Sequence, residues 1–338
     1  MFQTNRVVVF RMRVERQDLS GVDPGELAGC VIESRAEGTI KSYTAALRRV
    51  WAFGAKVKKT VFLWREGEVC SFLMHLVHCK VGESVMKQGL AVVAMVFEAM
   101  GKSSPTKSPL VGQVKKTAVK KRSAGQLRSR EIMSLRHLEV LIKNLFKKPA
   151  SQVKPADRRC LVLQVLLFLG MKRFSDIQHV RVDDVKFRAD GLVEVQLWKT
   201  KTDQEARGST FVVVGDEKRG LLVAEVLKWY LESLGLEGQD YVFSSLRGNC
   251  RGEVKPVRGS VVSYGVALAD LHVVCKRFGL PRLTLHSARI GAATAGAKAG
   301  VSRAYLQACG GWSSSAVDNY VRLRDPGAVF NRAIFRKV

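Results

Sequence analysis

One stretch of this chain reads as unable to continue either a helix or a strand, and it divides the sequence in two. Residues 101–126, GKSSPTKSPLVGQVKKTAVKKRSAGQ, place Pro105, Pro109 and several serines between two regions of regular apolar periodicity. They also carry the cluster Lys115, Lys116, Lys120, Lys121 and Arg122. Proline and small polar residues interrupt periodic structure, and a run of like charges repels itself, so residues 111–127 read as a flexible basic linker. At 338 residues, the chain then has room for two domains of ordinary size, 1–110 and 128–338.

The first region carries helical patterns. In GTIKSYTAALRRVWAFGAK, Tyr43, Ala46, Leu47, Val50 and Trp51 recur at helical spacing, while Lys41, Arg48 and Arg49 point elsewhere. Further helices are expected at Leu73–Cys79 and Val85–Met100. Beyond the linker the pattern predicts helices over Glu131–Phe146 and Asp157–Leu169, with Ser175–Val180 opening another, then Leu221–Leu234, Ser260–Phe278, Ser287–Ala299 and Ser302–Cys309. Only residues 192–214 switch period: Val193, Val195 and Leu197 alternate with polar neighbours, a polar turn KTKTDQEARGS follows, and FVVV resumes. The fold class expected is mainly α with a small β-hairpin or sheet.

Charge narrows the partner. Fifty-six Lys and Arg face 30 Asp and Glu, a formal charge of +26, and residues 101–160 alone hold 16 basic against 3 acidic side chains. Such an excess opposes compaction unless a polyanion lies against it, which makes nucleic acid the leading partner. The basic cluster can serve as a solvated tether, as a phosphate contact or as a nuclear-import signal. Seven scattered cysteines without a CxxC pair fit reduced thiols. No secretory leader is read at the amino terminus, and the longest apolar run, Cys160–Met171, is too short to span a bilayer.

A DNA-seeking chain that breaks phosphodiesters can gather carboxylates around two metal ions or supply its own nucleophile. No motif here gathers carboxylates, and the one close ligand-type cluster, His75, His78 and Cys79, reads as packing and surface. The alternative requires a nucleophile, cations to neutralise the non-bridging oxygens and an acid for the leaving oxygen. Four segments supply these parts in order. GMKRFSDIQHVRVDDVKF offers Arg173 and, one helical turn on, Asp176. WKTKTDQ puts Lys199 and Lys201 in the hairpin turn. LTLHSARIGAATAGAKAG places His286 and Arg289 three apart on one helix face. GGWSSSAVDNYVR sets Trp312 eight residues before Tyr320, on roughly the same side if Ser313 caps a helix.

This ordered set, R…K…HxxR…W…Y, resembles the tyrosine recombinase or phage integrase family over residues 131–338, with a Cre-like active-site set. The segments KTDQ, HSARIGAATAGAKAG and GGWSSSAVDNYVR are also similar to recombinases of DIRS and Crypton mobile elements. TIKSYTAALRRVWAF resembles the helical core-binding domain, of SAM-like type, that precedes such catalytic domains.

The resemblance implies a two-domain C-clamp on double-stranded DNA and a site-specific recombinase working through a 3′-phosphotyrosyl intermediate, with no cofactor, metal or ATP. Tyr320 would be the nucleophile, Arg173 and Arg289 the phosphate clamp, Lys201 the general acid, favoured over Lys199 by its TKT setting. His286 would assist proton transfer, Trp312 would stand where many members have a second histidine, and Asp176 would orient Arg173 and His286. Lys41, Arg48, Arg49 and the linker cations Lys115, Lys116, Lys120, Lys121 and Arg122 would contact DNA. Tyr43, Tyr230, Tyr241, Tyr264 and Tyr305 read as packing, and His179 has no role in the pattern.

Partners implied are two duplexes and three further copies of the chain, without a membrane, in the nucleus if the source is eukaryotic and otherwise in the cytoplasm at the nucleoid. The carboxy-terminal tail, with Val329, Phe330, Ile334 and Phe335 spaced for a small amphipathic helix, docks on a neighbouring copy in the family; packing on its own chain is the alternative. Two other functions fit the charge and part of the motif set: an inactive DNA-binding module from a mobile element, and a type IB topoisomerase-like relaxing enzyme.

Overall fold

The computed structural model describes residues 37–123, 131–198, 208–248, 253–312 and 314–321, which fall into two compact units, 1–128 and 129–338. In the first unit, α1 (Glu37–Lys56), α2 (Glu66–His78) and α3 (Glu83–Ala99) bury the apolar face the sequence gives them. Ala46, Leu47, Val50 and Phe53 of α1 meet Phe72, Leu73 and Leu76 of α2 and Val92, Val93 and Val96 of α3 in one core. Phe53, Trp64 and Phe72 pack ring against ring at 5.4–5.6 Å, within the range where aromatic pairs attract.

The segment expected as a flexible linker is a helix over most of its length. Pro109–Ser123 form α4, starting on a proline, and it packs against α2. Its apolar positions Val111, Val114 and Ala118 are three and four apart, a helical face concealed among lysines, and Val111 and Ala118 are buried in the first unit's core. Like-charge repulsion is the weaker effect here because the lysines project away from that face. Residues 124–127 of the expected linker lie outside the described residues.

The second unit is built around α6 (Pro155–Leu169), which is buried on every side from Asp157 to Phe168. Helices α5 (Leu135–Leu145), α8 (Val223–Leu234), α9 (Tyr264–Arg277) and α10 (Leu285–Lys298) surround it. A helix enclosed by others has no polar face to show, which is why its sequence from Cys160 onward is apolar apart from Gln164, while the charged side chains of its first turns, Asp157, Arg158 and Arg159, are buried with partners. α7 (Phe174–Ile177) is a single turn, shorter than the expected Ser175–Val180 opening, and α11 (Arg303–Gly310) follows α10.

The expected hairpin is present and gains a third strand. β1 (Val185–Phe187), β2 (Val193–Leu197) and β3 (Ser209–Val213) form an antiparallel sheet in the order β1-β2-β3, with Val195 opposite both Val185 and Phe211. Val193, Val195 and Leu197 face the core, as period-two alternation requires. A second hairpin, β4 (Ser244–Gly248) with β5 (Val254–Val261), occupies the start of the region expected to be the helix Ser260–Phe278. Ser263 caps that helix instead, its side chain accepting from the Val266 N–H.

Candidate active site

Helix α10 carries the HxxR pair and is held close to its neighbours by small residues. A Cβ on Gly291 would stand 1.7 Å from the Met133 carbonyl oxygen, so only glycine permits this approach, and the Met133 N–H donates to the Ser287 carbonyl at 3.1 Å. Arg289 is consequently 0% exposed. Its Nη1 donates to the Met171 carbonyl at 2.5 Å and its Nη2 to the Gly310 carbonyl at 2.7 Å. The guanidinium carbon lies 3.9 Å from the Trp312 ring centroid and 5.3 Å from that of Tyr320. Its Nε has no hydrogen-bond partner among the described residues. Burial, and then the charge of Arg173, lower its pKa to about 10.

Arg173 follows α6 through a special turn. Met171 adopts a φ of 50°, unusual for a residue with a side chain, and its carbonyl is the one that accepts from Arg289. Arg173 then caps α7: its backbone N–H donates to Asp176 Oδ2 at 3.1 Å, and its Nη1 lies 3.5 Å from the same oxygen. Asp176 is buried. One carboxylate thus orients both the backbone and the side chain of Arg173.

The carboxy-terminal strap closes the site. Gly311, with φ 63°, ends α11, and a Cβ on Gly310 would fall 1.9 Å from the Trp312 ring. A short 3-10 helix, Ser315–Asn319, is capped by Ser314, and it delivers Tyr320. The position expected to provide that cap, Ser313, lies outside the described residues. The Tyr320 ring is 4.8 Å from that of Trp312 and 5.2 Å from that of His286. The Tyr320 carbonyl accepts from Thr294 Oγ1 at 3.3 Å, which ties the strap back to α10. Trp312 is 7% exposed, and its Nε1 hydrogen has no partner among the described residues.

Arg173, Asp176, His286, Arg289, Trp312 and Tyr320 therefore converge from three separate stretches of sequence. Lys172, missed by motif reading because neither periodicity nor spacing marks it, joins them: its Nζ donates to the Cys309 carbonyl at 2.8 Å. Arg289, Arg173 and Lys172 are close enough for their charges to repel, with Asp176 the nearby anion. A buried arginine held by carbonyls and rings, with a donor still free, is suited to an incoming oxyanion, and a phenol and an imidazole flank that position.

Lys199 and Lys201 lie outside the described residues, in the connection between β2 and β3. Arg48 and Arg49 are exposed on α1, Lys116, Lys120 and Lys121 are exposed on α4, and Lys115 is half-buried. The side chains of Lys41 and Arg122 are outside the description, as is the tail from residue 322. His75 and Cys79 touch, Nε2 to Sγ, at 3.6 Å, and among the described residues no group of three or more His, Cys, Asp or Glu could hold a metal ion. No described helix is long and apolar enough to cross a membrane.

Comparison with known proteins matches residues 134–325 to the phage integrase family. The recombinase Cre of Escherichia phage P1 is 25% identical in an alignment of 296 residues that covers 82% of each chain. Among solved structures, the XerH site-specific recombinase bound to a palindromic difH substrate in a post-cleavage complex superposes with a TM-score of 0.63 at 11% identity, covering 99% of this chain and 96% of that one. The Tn1549 transposon integrase in complex with transposon right-end DNA gives 0.60 at 11% identity, covering 98% and 99%.

Proposed function

The chain belongs to the phage integrase family, and from that premise we propose that it is a site-specific recombinase that cuts and rejoins double-stranded DNA through a 3′-phosphotyrosyl intermediate. The observation that carries this reading is the state of Arg289: fully buried, held by two carbonyl oxygens, and packed against the rings of Trp312 and Tyr320, with an Nε that has no hydrogen-bond partner among the described residues. A phosphate diester supplies the negative oxygens that such a site lacks.

In the reaction proposed, the Tyr320 oxygen attacks the scissile phosphorus as its own proton leaves towards His286. The bond between phosphorus and the 5′-oxygen breaks, and Lys201 protonates that oxygen. Arg173 and Arg289 grip the non-bridging oxygens as charge builds on them, and a planar fork does this in a way an ammonium cannot. Trp312 donates its indole N–H to the phosphate, and Asp176 holds Arg173 in place. Rejoining is the reverse attack by a 5′-hydroxyl; the ester energy is kept in the tyrosyl bond, so no ATP or metal is required.

Four copies on two duplexes complete an exchange. Exposed cations on α1 and α4, together with Lys41 and Arg122, contact phosphates and make binding fall steeply with salt. The protein acts where its DNA is held, the nucleus in a eukaryotic host and the nucleoid otherwise.

The test is incubation with a suicide substrate, nicked or carrying a 5′-bridging phosphorothiolate, in EDTA. The expected product is a covalent protein–DNA adduct that is absent for Tyr320→Phe. DNA binding with no adduct would identify an inactive DNA-binding module. Relaxation of supercoils without sequence preference would identify a type IB topoisomerase-like enzyme.

A further inference from the structure

The carboxy-terminal end of α11 has two cations on it. A helix leaves its last four carbonyls without partners inside the helix. Here the Gly311 N–H donates to the Ala308 carbonyl at 3.1 Å and the Trp312 N–H to the Gln307 carbonyl at 2.9 Å, which leaves the carbonyls of Cys309 and Gly310. Lys172 Nζ takes the first at 2.8 Å and Arg289 Nη2 takes the second at 2.7 Å. Arg289 Nη1 also reaches back to Met171, the residue before Lys172. Two adjacent residues of the turn that leads to Arg173 are thereby joined to two adjacent carbonyls at the root of the strap that carries Trp312 and Tyr320.

The position of Lys172 suits this work. Its ammonium lies 5.1 Å from the centroid of the Phe211 ring on β3, a second attraction that aims it. Cations at a helix carboxy terminus meet the negative end of its dipole. A surface charge would not be fixed from two sides in this way.

We propose that Lys172 is a positioning residue for strand cleavage, one that fixes the spacing between Arg173 and the Trp312–Tyr320 strap by clamping the end of α11 through the Cys309 carbonyl. The proposal rests on the recombinase reading above. The ammonium touches no reacting atom; it acts through the backbone that delivers the nucleophile and through the neighbouring bond that holds Arg289. Burial, followed by the charge of Arg289, lowers its pKa, so the bond to the Cys309 carbonyl and the Phe211 ring act against a cost of keeping the charge there.

The experiment compares wild type, Lys172→Met, Lys172→Gln and Lys172→Arg in single-turnover cleavage. It uses both an ordinary nicked substrate and its 5′-bridging phosphorothiolate counterpart, with DNA affinity and melting temperature measured on the same preparations. The expected result is that affinity is kept while the rate of adduct formation falls between about 10-fold and about 100-fold for Lys172→Met, equally on both substrates. Lys172→Arg, which can still reach a carbonyl, restores most of the rate.

A defect that disappears on the phosphorothiolate, whose leaving group needs no proton, would make Lys172 a proton donor and overturn the positioning role. Rates that fall only in proportion to lost folded protein would overturn it as well, and Lys172→Gln, which keeps a polar head, supplies that comparison if the methionine variant folds poorly. Unchanged rates in all three variants are a third refutation. Absence of an adduct from wild type itself would remove the recombinase reading, and the proposal with it.

Discussion

Two arginines in the second unit are buried to nearly the same degree and are treated in opposite ways. Arg159, on α6, has a side chain 3% exposed, and it is fully answered: Nη2 meets Asp270 Oδ2 on α9 at 2.7 Å, and Nη1 donates to the Ser244 carbonyl on β4 at 2.7 Å. Arg289 is buried completely, and no carboxylate bonds to it directly: its two Nη groups go to carbonyl oxygens, its Nε has no partner among the described residues, Asp176 acts on it only as a nearby charge, and a second guanidinium is near enough to depress its pKa. Burying a charge without a counter-charge costs several kcal/mol even after relaxation. In the recombinase reading proposed above, the shortfall at Arg289 is what a phosphate makes good. An orphaned Nε alone does not mark such a position, since Arg158 of α6 has one too; what sets Arg289 apart is its place beside Arg173, Trp312 and Tyr320.

The largest expected effect that tests this contrast is on turnover. Arg289→Met should lower strand cleavage about 100- to 1000-fold, the loss seen when one donor to a developing oxyanion is removed, while its thermal stability stays equal to or above wild type because an uncompensated charge has gone. Cleavage kinetics beside a melting curve measure both. Cleavage retained within a few-fold would place Arg289 with the structural arginines.

Arg159→Met should do the reverse. It strands Asp270, and since that carboxylate is partly exposed the loss of stability is taken at the lower end of the range for a broken buried pair, about 3 kcal/mol by denaturant titration. The cleavage rate per folded molecule should be unchanged.

Gly310→Ala sharpens the comparison at smaller scale. Its Cβ would collide with Trp312, the ring that covers Arg289. Overpacking of this kind costs about 1–3 kcal/mol, and it should be accompanied by lost cleavage, because the displaced ring is part of the site.

The smallest effect is thermodynamic. Inorganic phosphate at ten times its dissociation constant should raise stability by about 1.4 kcal/mol in wild type, and the same concentration should do nothing specific for Arg289→Met. Alkaline pH offers a related check. The pKa of Arg289 is lowered from the ordinary arginine range to about 10, so the folded protein gives up this proton before the unfolded chain does. The burden that Arg289 places on stability is therefore fully present below pH about 10 and is relieved as pH rises above it. Wild type should gain on Arg289→Met across that window in parallel melts.

How much of this was legible in the sequence depended on periodicity. His286 and Arg289 are three apart in a helix, so spacing alone put that pair on one side; Trp312 and Tyr320 were expected together only if Ser313 capped a helix, and their rings meet at 4.8 Å through a 3-10 turn capped by Ser314. The apolar run of α6 announced a buried helix for the same reason. Periodicity failed where its carriers were diluted. In α4 a narrow apolar face is hidden by lysines, and the charge run was read ahead of it. In β5, Pro256 and Gly259 interrupt the alternation that marks a strand, and pairing with β4 decides the outcome. Lys172 and Met171 were invisible for another reason: their roles lie in the direction of a carbonyl and the reach of an ammonium, neither of which leaves a pattern in a linear chain. The hairpin tip that holds Lys199 and Lys201 was marked by composition alone.

The left-handed turn at Met171 has a consequence for how DNA is received. Because it gives Arg289 a carbonyl in place of a carboxylate, in the reading proposed above an arriving backbone oxygen has no bonded carboxylate to evict there. Arg173 differs, since its fork already leans on Asp176 and must share that oxygen with the newcomer. In that reading the two halves of the clamp take the phosphate differently, the outer guanidinium by trading partners and the deeper one without giving up a carboxylate.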